Sequence, residues 1–226
     1  MKARLWPILL AGLLLISALS VPASAADVPF SDVADSAWYY ESVERVYEKN
    51  WMNGTGNDRF SPDDSLTRAM LAVILWRIEG SQDASRTVTF TDTSANAWYA
   101  DGLSWCAEKG LFAGYPNGSF GPDDAVTREQ LAIVFFRYAE KTGAVPSGQV
   151  GHATFKNGCP WAADACDWAN EHGLFTDAIG TLDLCAPASR AEIAYLLDQY
   201  FPSEASPSAL TENSFDSMGY LLYTPA

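Results

Sequence analysis

One spacing organises this sequence, and it is 60 residues. Phe30-Ser31-Asp32 returns as Phe90-Thr91-Asp92, and Trp38-Tyr39 returns as Trp98-Tyr99. Phe60-Ser61-Pro62-Asp63-Asp64 returns as Phe120-Gly121-Pro122-Asp123-Asp124, Thr67-Arg68 as Thr127-Arg128, and Arg77 as Arg137. Chance does not keep one offset over so many matches, so the chain is built by duplication. A third copy is worn but readable. Phe155 stands for Phe90, Trp161 for Trp98, Trp168 for Trp105 and Ser189-Arg190 for Thr127-Arg128, while Glu171-His172-Gly173-Leu174-Phe175 stands for Glu108-Lys109-Gly110-Leu111-Phe112. The offset there drifts between 62 and 65, which places insertions in its loops. The units run over 28–83, 88–144 and 150–201.

Each unit reads as helix, loop, helix. Tyr39, Val43, Val46 and Tyr47 recur at spacings of three and four, with Glu41, Glu44, Arg45, Glu48 and Lys49 on the other face. That pattern predicts an amphipathic first helix, opened by an N-cap at Ser36 or Ser94 and stopped at Gly110 and Gly173. The loop is rich in Gly, Asn, Pro and Asp, the residues of tight turns. The second helix opens at Thr67, Thr127 or Ser189, and Thr127 with Gln130 and Ser189 with Glu192 form capping boxes. Its body, Met70 to Trp76 or Leu131 to Phe136, is apolar nearly all round, as buried helices are. The expected fold is therefore all-α. Three buried helices meet at a pseudo-threefold centre, with the amphipathic helices outside.

Arg68, Arg128 and Arg190 each directly follow the N-cap. That is the positive end of the helix dipole, which disfavours a cation by roughly 0.3–1 kcal/mol. Three cases at equivalent positions ask for a partner carrying negative charge. One reading is an anionic ligand, held by the guanidinium fork and the free backbone N–H groups of the helix start. The other is an internal ion pair with Asp32, Asp92 or a Pro-Asp-Asp carboxylate. Trp38, Trp98 and Trp161 either offer stacking surface beside such a site or fill the core.

The combination of Phe30-Ser31-Asp32-Val33, Trp38-Tyr39, the Gly-rich loop ending in Phe60 and Pro62, and Thr67-Arg68-Ala69 resembles the S-layer homology family. Unit two is similar through Phe90-Thr91-Asp92, Trp98 to Asp101, Gly114 to Phe120 and Thr127-Arg128-Glu129-Gln130. Unit three is similar mainly through Ser189-Arg190-Ala191-Glu192. The resemblance implies a pseudo-trimeric helical module of the bacterial envelope that binds a secondary cell-wall polymer, typically a pyruvylated glycan, in grooves between repeats. The arginine of the family's Thr-Arg-Ala-Glu signature contacts the acidic group, a role that falls on Arg68, Arg128 and Arg190. With them go the caps Thr67, Thr127 and Ser189, the carboxylates Asp32 and Asp92, and the three tryptophans Trp38, Trp98 and Trp161. Unit one departs from the signature at Met70, and unit two at Glu129 and Gln130. Unit three has Lys156-Asn157 where the others carry Ser-Asp or Thr-Asp.

The rest of the chain sets the context. Lys2 and Arg4, an apolar run from Leu5 to Leu19, and Ala23-Ser24-Ala25 read as a secretory signal peptide over 1–25. The run has about 15 residues, short of the roughly 20 that span a bilayer. The mature protein is thus expected outside the cell, without a membrane span and held to the wall non-covalently. Net charge is −14, and loss of Lys2 and Arg4 makes it −16. That excludes nucleic acid as a partner and puts long-range electrostatics against an anionic ligand. Local cations must carry recognition, with affinity that weakens little as moderate salt screens the bulk repulsion. His152 and His172 are the only histidines, and no metal site, cofactor or catalytic set is expected. Cys106 and Cys166 read as small core residues. Cys159–Cys185 is the expected disulfide, with Cys159–Cys166 as its rival. The tail, 202–226, is expected to be flexible and offers a contact for an envelope protein. That assembly role is the alternative to polymer binding, with a wall-active hydrolase further behind.

Overall fold

A computed structural model of the chain describes residues 28–85, 87–143, 153–158, 160–175 and 181–201. Residues 1–25, where a signal peptide is expected, lie outside these residues, as do Cys159, His152 and the tail. Among the described residues six α-helices follow in order: α1 (Tyr40–Glu48), α2 (Arg68–Ile78), α3 (Ala100–Glu108), α4 (Arg128–Thr142), α5 (Ala163–Glu171) and α6 (Arg190–Tyr200). A two-residue parallel pair, β1 (Phe155–Lys156) and β2 (Leu182–Asp183), completes the third unit. The fold is all-α. Among the described residues no helix is long and apolar enough to cross a membrane.

The second helices begin as their sequence dictates. Thr67 accepts a hydrogen bond from the Met70 N–H. Thr127 with Gln130 and Ser189 with Glu192 form complete capping boxes. The first helices begin later than Ser36 and Ser94. The N-cap residues are Tyr39 and Tyr99, and neither caps with its side chain. The chain reaches these helices through paired backbone turns instead. Ala37 N–H donates to Ala34 at 2.8 Å and Tyr40 N–H to Ala37 at 3.0 Å, with the same pattern from Ser94 to Ala100. Two turns that satisfy their own amides make a serine cap redundant. At the other end Asn50, Gly110 and Gly173 take left-handed φ of 56°, 66° and 66°. Each lets the chain fold back against the last turn.

The units interlock. The closest helix packing joins neighbouring units: α2 lies on α3, α4 on α5, and α6 returns to α1. At the α2–α3 crossing a Cβ on Gly102 would fall 2.9 Å from the Val73 Cα. The equivalent residues Ser42 and Ala165 are also small and buried. Where α4 and α5 meet, Phe136 and Trp168 pack edge to face at 5.5 Å. At the equivalent place between α6 and α1 stands an ion pair, Asp198 with Arg45, to which Ser42 also donates at 3.0 Å. The buried helices converge at their far ends. There Tyr138 of α4 packs on Tyr200 of α6 at 5.4 Å and donates to Glu79 just beyond α2.

A ring of backbone bonds closes the near end. Val126 N–H donates to Leu66 and Ala188 N–H to Val126, both at 2.9 Å. Backbone bridges link Thr67 with Ala125, Thr127 with Pro187 and Ser65 with Ser189. Leu66, Val126 and Ala188 are buried on this ring. The expected pseudo-threefold arrangement is thus present, and the ring closes where the first unit meets the third.

Candidate functional site

The helix starts are occupied by protein. Arg68 and Ala69 N–H donate to Asp124 and Pro122 of the next unit. Arg128 and Glu129 N–H donate to Ala186 and Leu184, and Arg190 and Ala191 N–H to Asp64 and Pro62. The free backbone N–H groups expected there are therefore absent, because each Pro-Asp-Asp turn, or its Leu-Cys-Ala counterpart in unit three, caps the preceding unit's helix. The arginines follow the same route. Arg68 is fully buried, with Nε on the Phe120 carbonyl at 2.8 Å and Nη2 on Ala113 at 2.9 Å. Its guanidinium lies 4.5–5.5 Å from the rings of Phe120, Tyr115 and Phe112. Arg190 is also buried, and donates to Phe60 and Asn53 carbonyls at 2.8 and 2.7 Å. Burial lowers the pKa of both arginines against the raising effect of nearby acidic groups. The internal partners are carbonyl oxygens and aromatic faces of the next unit rather than the carboxylates weighed from the sequence.

Arg128 differs. Its Nε and Nη2 hold Glu192 in a fork at 2.7–2.9 Å, and Nη1 donates to the Asp183 carbonyl at 3.0 Å. Glu192 also completes the Ser189 capping box, so one carboxylate joins a helix cap to the neighbouring unit's arginine.

Asp32 and Asp92 bind backbone. Asp32 accepts from Phe60 and Ser61 N–H at 2.8 and 2.9 Å, and Asp92 accepts from Phe120 and Gly121, both at 2.7 Å. Desolvation acts to raise the Asp32 pKa, but the N–H bonds and the Arg59 charge outweigh it and hold the carboxyl below its ordinary value. These carboxylates fix the loop that presents Phe60 and Phe120 to the buried arginines. In unit three Asn157 stands in their place and donates to Asp183 at 2.9 Å.

A groove of about 290 Å³ opens where the ring closes. Unit one supplies Trp38, Tyr39 and Asp63, unit two supplies Arg128, and unit three supplies Lys156, Leu182, Asp183, Ser189 and Glu192. Of the residues expected from the sequence, Trp38, Arg128 and Ser189 come together here. Trp38 is 38% exposed and rests edge to face on Tyr195 at 5.8 Å. Trp98, its equivalent in unit two, is 64% exposed. Trp161 is half-buried and packs against the core. Lys156 and Asp183 line the groove without having been singled out as site residues, and so does Asp63, weighed from the sequence only as a Pro-Asp-Asp ion-pair partner. The signal for Lys156 was present, since it breaks the repeat by placing a cation where Ser31 and Thr91 stand. Asp183 is held below the ordinary carboxylate range first by the Asn157 amide, with Cys185 N–H and Lys156 adding to it. Cys106 and Cys166 are buried as expected, and Cys185 is exposed with its thiol beside the Asn157 carbonyl. The pairing of Cys159 lies outside the described residues.

Among known families, the model of the S-layer homology domain matches residues 29–70 and 89–132. The chain carries S-layer homology domains. The two matched segments hold the first helix, loop and helix start of units one and two. The chain is similar to an endoglucanase of Bacillus sp. (strain KSM-635), 34% identical over 146 residues, which is 60% of this chain and 15% of that protein. It is similar to a cellulosome-anchoring protein of Acetivibrio thermocellus, 33% identical over 102 residues, or 43% of this chain and 23% of that one. A cell surface protein of Thermoanaerobacter kivui is 30% identical over 192 residues, 82% of this chain and 23% of its own length. The chain with its S-layer homology domains thus spans less than a quarter of each of these relatives.

Proposed function

We propose that this protein is a secreted, non-catalytic attachment module, its third unit a degenerate S-layer homology repeat. It binds a secondary cell-wall polysaccharide in the groove between its first and third units. The observation that carries the reading is the composition of that groove. An exposed tryptophan lies beside three carboxylates, Asp63, Asp183 and Glu192, and two cations, Arg128 and Lys156. A sugar ring has an apolar C–H face and a rim of hydroxyls. An indole face covers the first, and carboxylates accept hydrogen bonds from the second. The volume sits near the lower end of ligand pockets, which suits a short stretch of polymer. The relatives support attachment over catalysis. The chain matches a protein named an endoglucanase, one named an anchoring protein and one named a cell surface protein, and the match covers a minor part of each. The ligand this reading gives is an acidic, pyruvylated polymer attached to peptidoglycan, and the location is the cell surface, where the protein is held non-covalently.

The test is co-sedimentation of the full chain with cell-wall sacculi, before and after their secondary polymer is stripped. Wild type should pellet with intact sacculi and stay in solution with stripped ones, and Trp38→Ala should remain largely in solution with both. Equal retention on stripped sacculi would overturn polymer recognition.

A further inference from the structure

The groove holds two cations, and only one has charge to offer. Arg128 directs all three of its nitrogens at protein, and Glu192 neutralises it. Arg68 and Arg190 are buried away from the groove. Lys156 is held differently. Its side chain is 57% exposed, and its partner among the described residues is Asp183 at 4.0 Å, beyond hydrogen-bond distance. The Asp183 carboxylate is already engaged, accepting from the Asn157 amide at 2.9 Å and the Cys185 N–H at 3.2 Å. A loose exposed pair of this kind contributes little and separates at little cost. The backbone beneath the lysine is fixed, since β1 pairs with β2 and the Lys156 carbonyl accepts from Leu184 N–H at 3.1 Å. An ammonium with three donors therefore swings from a rigid base at the groove wall.

We propose that Lys156 is the residue that recognises the acidic substituent of the bound glycan, as a point charge at a position where the other two units carry only a hydroxyl. This rests on the reading of the groove as the glycan site. It turns the third unit's departures from the repeat into the source of selectivity. Ser31 becomes Lys156, and Asp32 becomes Asn157, whose amide engages Asp183 and leaves the lysine available. The surrounding lining, three carboxylates against two cations, repels an anion everywhere except at this ammonium, so the substituent's position on the sugar is read as well as its charge.

The experiment titrates the full chain, as wild type, Lys156→Gln, Lys156→Arg and Trp38→Ala, with two probes. One is wall polymer released from the sacculi. The other is the same polymer with its carboxylates amidated. Lys156→Gln should bind the native polymer at least tenfold more weakly than wild type and the amidated polymer equally well. Lys156→Arg should stay within about threefold of wild type, and Trp38→Ala should lose affinity for both probes. If Lys156→Gln matches wild type on the native polymer while Trp38→Ala fails, the lysine assignment is overturned and the groove stands. If Trp38→Ala also matches wild type, the groove reading falls and takes the assignment with it.

Discussion

Replacing Arg68 with methionine tests whether the helix-start arginine ties one unit to the next. Methionine fills much of the same volume, so the change removes donors and charge more than it opens a cavity. One buried acceptor, the Phe120 carbonyl, and one part-buried acceptor, the Ala113 carbonyl, lose their partner. Each unpaired buried acceptor costs about 1–3 kcal/mol. The guanidinium's contact with three rings adds roughly 0.5–2 kcal/mol, and relief from burying a cation offsets part of the sum. The net expectation is about 4 kcal/mol of destabilisation. For a chain of this size that lowers Tm by about 8–16 °C, at about 2–4 °C per kcal/mol. Urea unfolding followed by tryptophan fluorescence at neutral pH measures it, with an unchanged m-value showing that stability alone moved. Lys156→Gln is the control, since an exposed side chain should shift stability by no more than about 0.5 kcal/mol. A loss below about 1 kcal/mol for Arg68→Met would refute the interlocking role.

Three further outcomes follow from particular contacts. In Gly114→Ala the new Cβ falls 2.5 Å from the Phe90 ring and 2.7 Å from the Ser119 carbonyl. Urea midpoints should register a loss of about 1–3 kcal/mol. Burial raises the Glu79 pKa against the lowering effects of the Tyr138 hydrogen bond and Lys109. Its contribution to stability is therefore full below the unfolded value of about 4.3 and is lost as pH rises through the folded pKa. Glu79→Gln keeps an acceptor for Tyr138, so its urea midpoint should exceed that of wild type at pH 7 and converge with it near pH 4. Arg45→Ala leaves Asp198 buried without its cation, and thermal melts should show a loss of about 2–3 kcal/mol, below the roughly 3–5 of a fully buried pair because Arg45 reaches solvent. The double change Arg45→Trp with Asp198→Phe copies the Phe136–Trp168 contact and should recover to within about 1 kcal/mol of wild type.

Local chemistry made the helices legible. Thr127-x-x-Gln130 and Ser189-x-x-Glu192 form the capping boxes their spacing implies, and the apolar run of α2 is buried on nearly every side. Three arginines at positive helix ends asked for negatively charged partners; Arg128 meets one in Glu192, while Arg68 and Arg190 meet carbonyl oxygens and aromatic faces. What lay opposite was hidden, because a carbonyl oxygen has no residue identity. The Phe120 carbonyl sits 52 positions from Arg68, and the Phe60 carbonyl 130 positions from Arg190. Ser36 and Ser94 misled because a hydroxyl in the right place is needed as a cap only when the preceding turns leave amides unsatisfied, and here the Ala34–Ala37–Tyr40 turns do not. The groove was hardest to foresee. Its wall comes from the unit with the weakest repeat signal, where Lys156 and Asn157 looked like decay. Only ring closure brings Lys156 into one groove with Trp38, more than 100 positions earlier in the chain.

On the function proposed above, glycan enters at the junction of the first and third units. The most direct measurement follows backbone amide shifts of the isotope-labelled full chain as wall-polymer fragments are added. Shifts concentrated at Trp38, Tyr39, Lys156, Asp183 and Glu192, with Trp98 and Asp123 unmoved, are the expected result. Shifts centred on Trp98 and Asp123, with the first–third junction silent, would contradict it.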